Sequence, residues 1–191
     1  MNLLAHAVLS PNGSKTQVGN VLADFIRRNE TAELDSEVQQ GIQLHKRIDS
    51  FTDHHPVVAR SHERLVGFRR YANPLVDVFY DHFLTLHWNE VQSVPEYVSA
   101  LYRLIQENHS LLPENCVQIS NRMIEQDWMT NYGTYEGLEL NLSRMERRIE
   151  WSSGRKVDIV SSIKILIENH DAFEQDFLEF WPELQAEAAI K

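Results

Sequence analysis

Apolar side chains recur along this 191-residue chain at the spacing of an α-helix. The clearest stripe runs from Lys15 to Arg28, where steps of three and four residues connect the apolar positions Val18, Val21, Leu22, Phe25 and Ile26. Such a stripe is typical of a helix with one buried face. No segment alternates apolar and polar residues as a half-buried strand does. The pattern therefore predicts an all-α fold.

Polar linkers, prolines and glycines divide the pattern into helices. After a short buried helix start at 2–9, we expect about eight helices, at 15–28, 36–55, 57–68, 74–88, 95–108, 116–132, 135–151 and 157–180, the last as one helix or two ending before Pro182. The segment 74–88 has an apolar surface wide enough for a central helix, and we expect 15–28 and 36–55 to pack with it. A chain of this length with 42% hydrophobic residues suits a single domain over 1–191.

Cysteine usage and apolar runs indicate the environment of the chain. Cys116 is the single cysteine, which excludes an internal disulfide and a thiolate metal cluster and fits a reducing compartment. The start of the chain has no basic leader, and no apolar run approaches ~18 residues. We therefore expect no signal peptide and no membrane span, and a cytoplasmic protein.

Charge is unevenly distributed. The net charge of −10 argues against general nucleic-acid binding. Residues 1–70 carry nine Lys and Arg against eight Asp and Glu, whereas residues 71–191 carry nine against 20. An acidic partner would therefore dock on the first third, unless these charges are merely scattered and solvated. The basic residues there are Lys15, Arg27, Arg28, Lys46, Arg47, Arg60, Arg64, Arg69 and Arg70.

The strongest chemical signal lies between Gly41 and Pro56. His45, Asp49 and Asp53 follow one another at intervals of four residues, which stacks them along one face of a helix. Apolar neighbours on the same helix place this face towards the protein interior. Buried carboxylates require a cation or hydrogen-bond donors. The spacing therefore indicates half of a metal site.

Other candidates lie in the same half of the chain. Seven of the nine histidines fall within residues 1–87. His6 stands among apolar residues, the pair Asp81-His82 lies inside the apolar segment 74–88, and Asp24 flanks the stripe of 15–28. A lone buried histidine is more often structural, and we interpret His54, His55, His62 and His87 as surface or structural residues. Nitrogen and carboxylate ligands without thiolates favour Mn²⁺, Mg²⁺, Fe²⁺ or Zn²⁺, and such sites commonly hydrolyse phosphate esters.

No motif for a rival chemistry is present. The chain lacks a glycine-rich phosphate loop, a G-x-S-x-G elbow and an H-E-x-x-H helix. Five segments instead carry a family resemblance: MNLLAH at 1–6, GNVLADFIR at 19–27, GIQLHKRID at 41–49, TDHHP at 52–56 and YDHFLTLHW at 80–88. In order and spacing they resemble the acyl-carrier-protein phosphodiesterases.

The resemblance implies a divergent, all-helical relative of the HD-domain phosphohydrolases. It implies an Mn²⁺-dependent enzyme, with Mg²⁺ or Fe²⁺ as alternatives, that cleaves 4′-phosphopantetheine from the serine of holo-acyl carrier protein and returns the apo form. The metal site would occupy about residues 1–90, and residues 91–191 would form a helical scaffold. A phosphohydrolase acting on a nucleotide or another small phosphoester and a non-enzymatic helical adaptor are the alternative functions.

The family motifs also supply the candidate site residues. The motif positions are His6, Asp24, His45, Asp49, Asp81 and His82. HD proteins have adjacent His-Asp, whereas this chain has Asp81-His82, which leaves open which of the six bind metal. We expect Asp24, His45 and Asp81 as ligands, with His6 or His82 completing the set. Asp49 would orient His45 or bind metal directly, and Lys46 or Arg47 would stabilise the anionic substrate oxygens.

Overall fold

The computed structural model describes residues 1–190, and helices follow one another through nearly all of them. The α-helices within this range are α1 (Leu3–Val8), α2 (Lys15–Leu22), α3 (Ser36–His54), α4 (Pro56–Arg64), α5 (Ala72–Leu86), α6 (Val94–Glu107), α7 (Glu114–Glu125), α8 (Tyr135–Ser153), α9 (Ile163–Glu168) and α10 (His170–Ala189). Short 3-10 turns lie at Ala23–Phe25, Thr31–Glu33, Arg69–Tyr71, His109–Leu111, Thr130–Gly133 and Val160–Ser162. Residues 1–190 contain no β-strand, which confirms the predicted all-α fold. The HD-like core stays a prediction.

Helix ends differ from the predicted ones at several places; α4 ends at Arg64 rather than at 68, and α7 ends at Glu125 rather than at 132. α2 ends at Leu22, six residues before the predicted end, and the chain continues as the 3-10 turn Ala23–Phe25, whose last carbonyl accepts hydrogen bonds from the side chains of Asn115 and Cys116. The expectation that Pro182 ends a helix is wrong, since it lies inside α10. Its missing N–H leaves the carbonyl of Leu178 free, and Leu178 is exposed, so that water can replace the lost partner.

One continuous hydrophobic core connects the two halves of the chain. α5 is central to it, as the pattern predicts, with ten of its residues buried. Aromatic rings of α5 meet those of α10: Phe79 and Phe173 lie 5.5 Å apart, and Tyr80 and Phe177 lie 5.7 Å apart, both edge to face. The C-terminal helices therefore pack directly against the helices that carry the candidate chemistry.

Two glycines bring the backbones of α2 and α3 into contact. A Cβ atom at Gly41 would lie 2.1 Å from the Thr16 carbonyl oxygen, and one at Gly19 would lie 2.1 Å from the Val38 carbonyl oxygen. No larger residue fits at either position. The predicted close packing of these two helices is confirmed. The third helix of the predicted group, α5, packs mainly against α1, α4 and α10, and each of these helices also contacts α2 or α3.

The thiol of Cys116 is free and buried on α7, where it donates to the Phe25 carbonyl at 3.0 Å. Burial raises the pKa of this thiol to about 11. No helix among the described residues combines the length and the hydropathy needed to cross a membrane.

A buried carboxylate connects α4 to α10. Asp176 is 2% exposed, accepts a hydrogen bond from Ser61 Oγ at 2.8 Å and forms ion pairs with Arg60 and Arg64. Replacing Asp176 by Ala should lower the free energy of unfolding by about 3 kcal/mol, because it removes the buried carboxylate that binds Ser61 and both guanidinium groups. Urea denaturation measures this loss.

Glu179 provides the control for that experiment. It also pairs with Arg60 but is about half exposed. Its replacement by Ala should cost less than about 1 kcal/mol, as exposed ion pairs do. Equal losses for the two variants would contradict the assignment of Asp176 as the buried connection.

Candidate metal centre

Two stacked imidazole rings form the centre of the site. His6 on α1 and His45 on α3 are both buried, and their ring centroids lie 4.0 Å apart at an interplanar angle of 18°. Asp49, one turn after His45, bridges them: its Oδ1 lies 3.1 Å from His6 Nε2 and its Oδ2 lies 3.0 Å from His45 Nε2. The structure thus brings three of the predicted residues together, with ligand atoms within 4.8 Å of one another.

Asn20 on α2 holds the opposite edges of the two rings. Its Oδ1 lies 2.8 Å from His6 Nδ1, and its backbone oxygen lies 2.9 Å from His45 Nδ1. That carbonyl is available because α2 ends at Leu22, and the carbonyls of a last turn have no intrahelical partner. Sequence reasoning missed Asn20, although a buried amide inside an apolar helix stripe is a recognisable signal.

Asp24 lies at the solvent edge of this group, in the 3-10 turn that follows α2. Its Oδ1 is 3.3 Å from His45 Nε2, and its side chain is 65% exposed. The hydrogen bond with His45 lowers the pKa of this carboxyl. The sequence prediction that Asp24 and His45 converge therefore agrees with this contact, and the Asp24 carboxylate lies at the edge of the group that faces solvent.

A positive charge approaches the same group from the interior. The Met1 ammonium lies 3.1 Å from Asp77 Oδ1 and 3.4 Å from Asp49 Oδ1. Burial opposes this charge, but Asp77 and Asp49 overcome it and raise the pKa of the ammonium. The Met1 carbonyl oxygen lies 3.0 Å from His6 Nε2. Two oxygen atoms, Met1 O and Asp49 Oδ1, therefore face His6 Nε2.

Burial and pairing give the two imidazoles different protonation behaviour. Burial lowers the pKa of His6 to about 4. Burial also disfavours charge on His45, but hydrogen bonds with Asp24 and Asp49 outweigh it and raise its pKa to about 9. Burial works against the Asp49 carboxylate as well, yet its bonds with both imidazoles hold its pKa well below the usual range. In the metal-free protein the group thus combines the neutral imidazole of His6 and the protonated imidazole of His45 with ionised carboxylates, and a metal ion would take the place of the His45 Nε2 proton.

Asp81 does not join this group. Both carboxylate oxygens accept backbone hydrogen bonds at the start of α1, from Leu4 at 2.9 Å and Ala5 at 3.1 Å. Complete burial raises its pKa to about 7, against the effect of these two bonds. Because His6 follows Ala5 directly, Asp81 fixes the helix that presents His6. It therefore supports the position of His6 without contacting the imidazoles.

His82 also lies outside the group. Its Nδ1 lies 2.7 Å from the Tyr132 carbonyl oxygen, and its buried Nε2 has no partner among the described residues. Burial lowers its pKa. A second set of potential ligands, His170, Asp171 and Glu174, lies at the start of α10, but Asp171 is fully exposed. His82 therefore has no hydrogen bond with His6 or His45 and does not complete the predicted ligand set.

The two predicted cationic residues point in different directions. Arg47 donates to the Ala188 carbonyl at 2.9 Å and lies 3.9 Å from Glu187. It follows His45 by two residues, which places it about 200° around the helix, towards the end of α10. Arg47 is therefore engaged away from the imidazoles, and exposed Lys46 is the remaining cation of the pair.

The arrangement fits a divalent cation. Asn20 Oδ1 can only accept from His6, so the neutral His6 ring carries its proton on Nδ1 and has a lone pair on Nε2. That lone pair faces the Met1 carbonyl oxygen and Asp49 Oδ1. Lone pairs that face one another in this way are unfavourable without a cation between them. Two imidazole nitrogens with carboxylate oxygens suit Mn²⁺, Fe²⁺ or Zn²⁺ better than Mg²⁺, which prefers oxygen.

Fold and site together define an all-helical protein with a candidate divalent-metal centre near its surface. The chain matches the family model described as acyl carrier protein phosphodiesterase over residues 1–184, and it belongs to that family. Three relatives carry the name acyl carrier protein phosphodiesterase. The Salmonella agona protein is 31% identical, and the match covers 100% of this chain and 99% of the relative. The Pectobacterium atrosepticum protein is 30% identical, with 96% of this chain and 95% of the relative covered. The Photorhabdus laumondii protein is 28% identical, with 100% of this chain and 96% of the relative covered. No solved structure matches the chain. The family resemblance of the sequence motifs is thereby confirmed.

Proposed function

We propose that this protein is a cytoplasmic, metal-dependent hydrolase that removes 4′-phosphopantetheine from holo-acyl carrier protein and returns apo-acyl carrier protein. Family membership supports the substrate class. The observation that carries the metal dependence is the pair of imidazoles that present their Nε2 atoms to Asp49. His6, His45 and Asp49 would hold the ion, with Asp24 at the solvent edge. Mn²⁺ is the proposed metal, and Mg²⁺ and Fe²⁺ are the alternatives.

The chemistry divides between the ion and the side chains. A bound divalent ion supplies neutralisation of the phosphodiester charge and a lower pKa for water. His6 and His45 contribute lone pairs and keep their other ring nitrogens on Asn20. Asp24 is ionised and exposed, so its carboxylate can take the proton of a water that attacks phosphorus. The bond from phosphorus to the serine oxygen breaks, and that oxygen takes up a proton to give the serine hydroxyl.

Only some of the basic residues in 1–70 are available to an acidic partner. Lys15 pairs with Asp35 at 2.8 Å, and Arg60 and Arg64 pair with Asp176. Arg28, Lys46, Arg69 and Arg70 are exposed and have no carboxylate partner among the described residues, while Arg27 lies 3.9 Å from Glu30. We call Arg27, Arg28 and Lys46 the docking face, since they flank Asp24 and His45 in the chain.

Reversing the docking face to Glu at all three positions should raise KM for acyl carrier protein roughly tenfold and change kcat less, because exposed charges steer association. KM of the unaltered protein should rise with ionic strength. Steady-state kinetics at low and high salt measure both effects. Lys164→Glu on α9, an exposed cation outside this face, is the control for a single reversal and carries the same charge change as Lys46→Glu alone. Insensitivity of KM to both salt and reversal would refute the docking face.

Mass spectrometry of holo-acyl carrier protein after incubation with this protein and Mn²⁺ tests the function. The proposal predicts conversion to the apo mass and release of 4′-phosphopantetheine. A parallel panel of nucleotides tests the alternative hydrolase, which would turn over a nucleotide and leave holo-acyl carrier protein intact. Inactivity on both, with no metal bound, would favour the helical adaptor.

A further inference from the structure

We infer that Asn20 is a positioning residue that holds a proton on Nδ1 of both site histidines, so that Nε2 is the atom left in each ring to bind an incoming metal ion. Asn20 is completely buried on α2 and contacts both rings. The inference rests on the proposed metal centre for its purpose, whereas its geometry stands on the hydrogen bonds of Asn20 alone.

The orientation of the Asn20 amide follows from its other contacts. Its Nδ2 lies 2.9 Å from the His6 carbonyl oxygen and 2.8 Å from Ser10 Oγ. Ser10 Oγ gives its own proton to the same His6 carbonyl, at 2.8 Å, and therefore accepts from Asn20. Two acceptors thus fix the NH₂ group on this side. The atom that faces His6 Nδ1 at 2.8 Å must be Oδ1.

The acceptor character of Asn20 determines the ring protons. An amide oxygen only accepts, so His6 Nδ1 carries a proton and Nε2 is left with its lone pair. The backbone oxygen of Asn20 holds the Nδ1 proton of His45 in the same way, through the 2.9 Å bond, so the proton that His45 gives up to bind metal is the one on Nε2. Since the rings are stacked, both Nε2 atoms lie at the edge that Asp49 spans.

This arrangement matches what metal ligation requires. A ligating histidine commonly donates its other ring N–H to an oxygen, which fixes the tautomer and the ring orientation. Without the oxygen of the Asn20 side chain, the remaining acceptors around His6 are Met1 O and Asp49 Oδ1, and both face Nε2. The His6 proton would then move to Nε2, the atom that must be bare to bind metal.

Asn20→Ala should change the protonation of His6 without changing that of His45, so one variant tests both rings. The substitution removes the acceptor of His6 but keeps the backbone carbonyl that holds His45. We expect ¹⁵N NMR of the metal-free protein to show His6 protonated at Nδ1 in the unaltered chain and at Nε2 in the variant, with His45 Nδ1 protonated in both. A general loosening of the site would disturb both rings, and an unchanged His6 would overturn the inference.

Two further variants distinguish the tautomer effect from packing. Ser10→Ala removes one partner of the Asn20 amide but leaves Nδ2 on the His6 carbonyl, so His6 should keep its Nδ1 proton. Asn20→Asp retains an acceptor towards Nδ1 and should keep that proton as well, which also covers the case in which Asn20→Ala does not fold. A shift of the proton to Nε2 in either variant would contradict the assignment.

Metal affinity gives the second readout. Calorimetric titration with Mn²⁺ should show a 10- to 100-fold weaker binding for Asn20→Ala, the usual range for losing the partner of a ligating histidine, and little change for Ser10→Ala. Equal affinity for Asn20→Ala and the unaltered protein would overturn the positioning role. The NMR result needs neither acyl carrier protein nor metal, so a failure of the proposed hydrolysis would leave it standing.

Discussion

Asp49→Asn is expected to abolish Mn²⁺ binding and the hydrolysis of holo-acyl carrier protein while the helical fold is retained. Asp49 contacts both imidazoles, so its loss removes the negative charge nearest to their Nε2 atoms. The amide also offers an N–H to a lone pair that a metal ion would use. Because losing even a partner of a ligand weakens metal binding 10- to 100-fold, losing the carboxylate should cost at least about 100-fold. Calorimetry with Mn²⁺ and a turnover assay measure both losses.

Asp53→Asn is the matched control, since it makes the same change one turn further along the same helix. Asp53 is exposed and bonds to Asn73 at 2.9 Å, and it has no contact with either imidazole. This variant should bind Mn²⁺ and turn over substrate nearly as well as the unaltered protein. If the two variants lose metal and activity equally, the imidazole pair is not the centre.

Gly41→Ala is expected to damage both stability and the site. The new Cβ would meet Thr16 O at 2.1 Å and Asn20 N at 2.6 Å, which are backbone atoms of α2 and cannot rotate away. Separating the helices should cost roughly 1–3 kcal/mol, or about 2–12 °C in Tm for a chain of this size. Because His45 depends on the Asn20 carbonyl across the same contact, hydrolysis should fall as well. Thermal unfolding and turnover are the measurements.

Gln43→Ala controls for a change to Ala on the same helix. Gln43 is exposed, and Ala favours the helix, so Tm and turnover should change little. A Gly41→Ala protein that matches it in both respects would show that α2 and α3 do not require contact at this point.

The part of the site that could be predicted is the part that a single helix encodes. His45 and Asp49 are four residues apart, and helical geometry alone places them on one face. The apolar neighbours of that face correctly indicated an interior position for His45, which is 6% exposed. Local spacing and binary pattern were sufficient here because no distant segment had to be placed.

Contacts between distant segments could not be predicted in this way. Asp81 bonds to backbone groups 76 and 77 residues away, so its role depends on where α1 lies against α5. Periodicity shows that Asp81 is buried but not which element covers it. For the same reason the sequence did not predict that Arg47 points away from the imidazoles, since its carbonyl partner, Ala188, is 141 residues away.

Asn20 was missed for a different reason. Its backbone oxygen can bind His45 because α2 ends at Leu22 and a 3-10 turn follows it. The apolar stripe continues to Ile26 and predicts a longer helix. The helix thus ends earlier than local periodicity predicts, and the early end frees the carbonyl that the site uses.

The most direct test of the central claim is the mass of holo-acyl carrier protein after incubation with the metal-stripped protein, followed by the same measurement after Mn²⁺ is added back. A divalent ion held by His6, His45 and Asp49 predicts an unchanged holo mass without metal and conversion to the apo mass once Mn²⁺ is restored. Complete conversion by the stripped protein, or Mn²⁺-restored conversion that survives Asp49→Asn, would contradict the account.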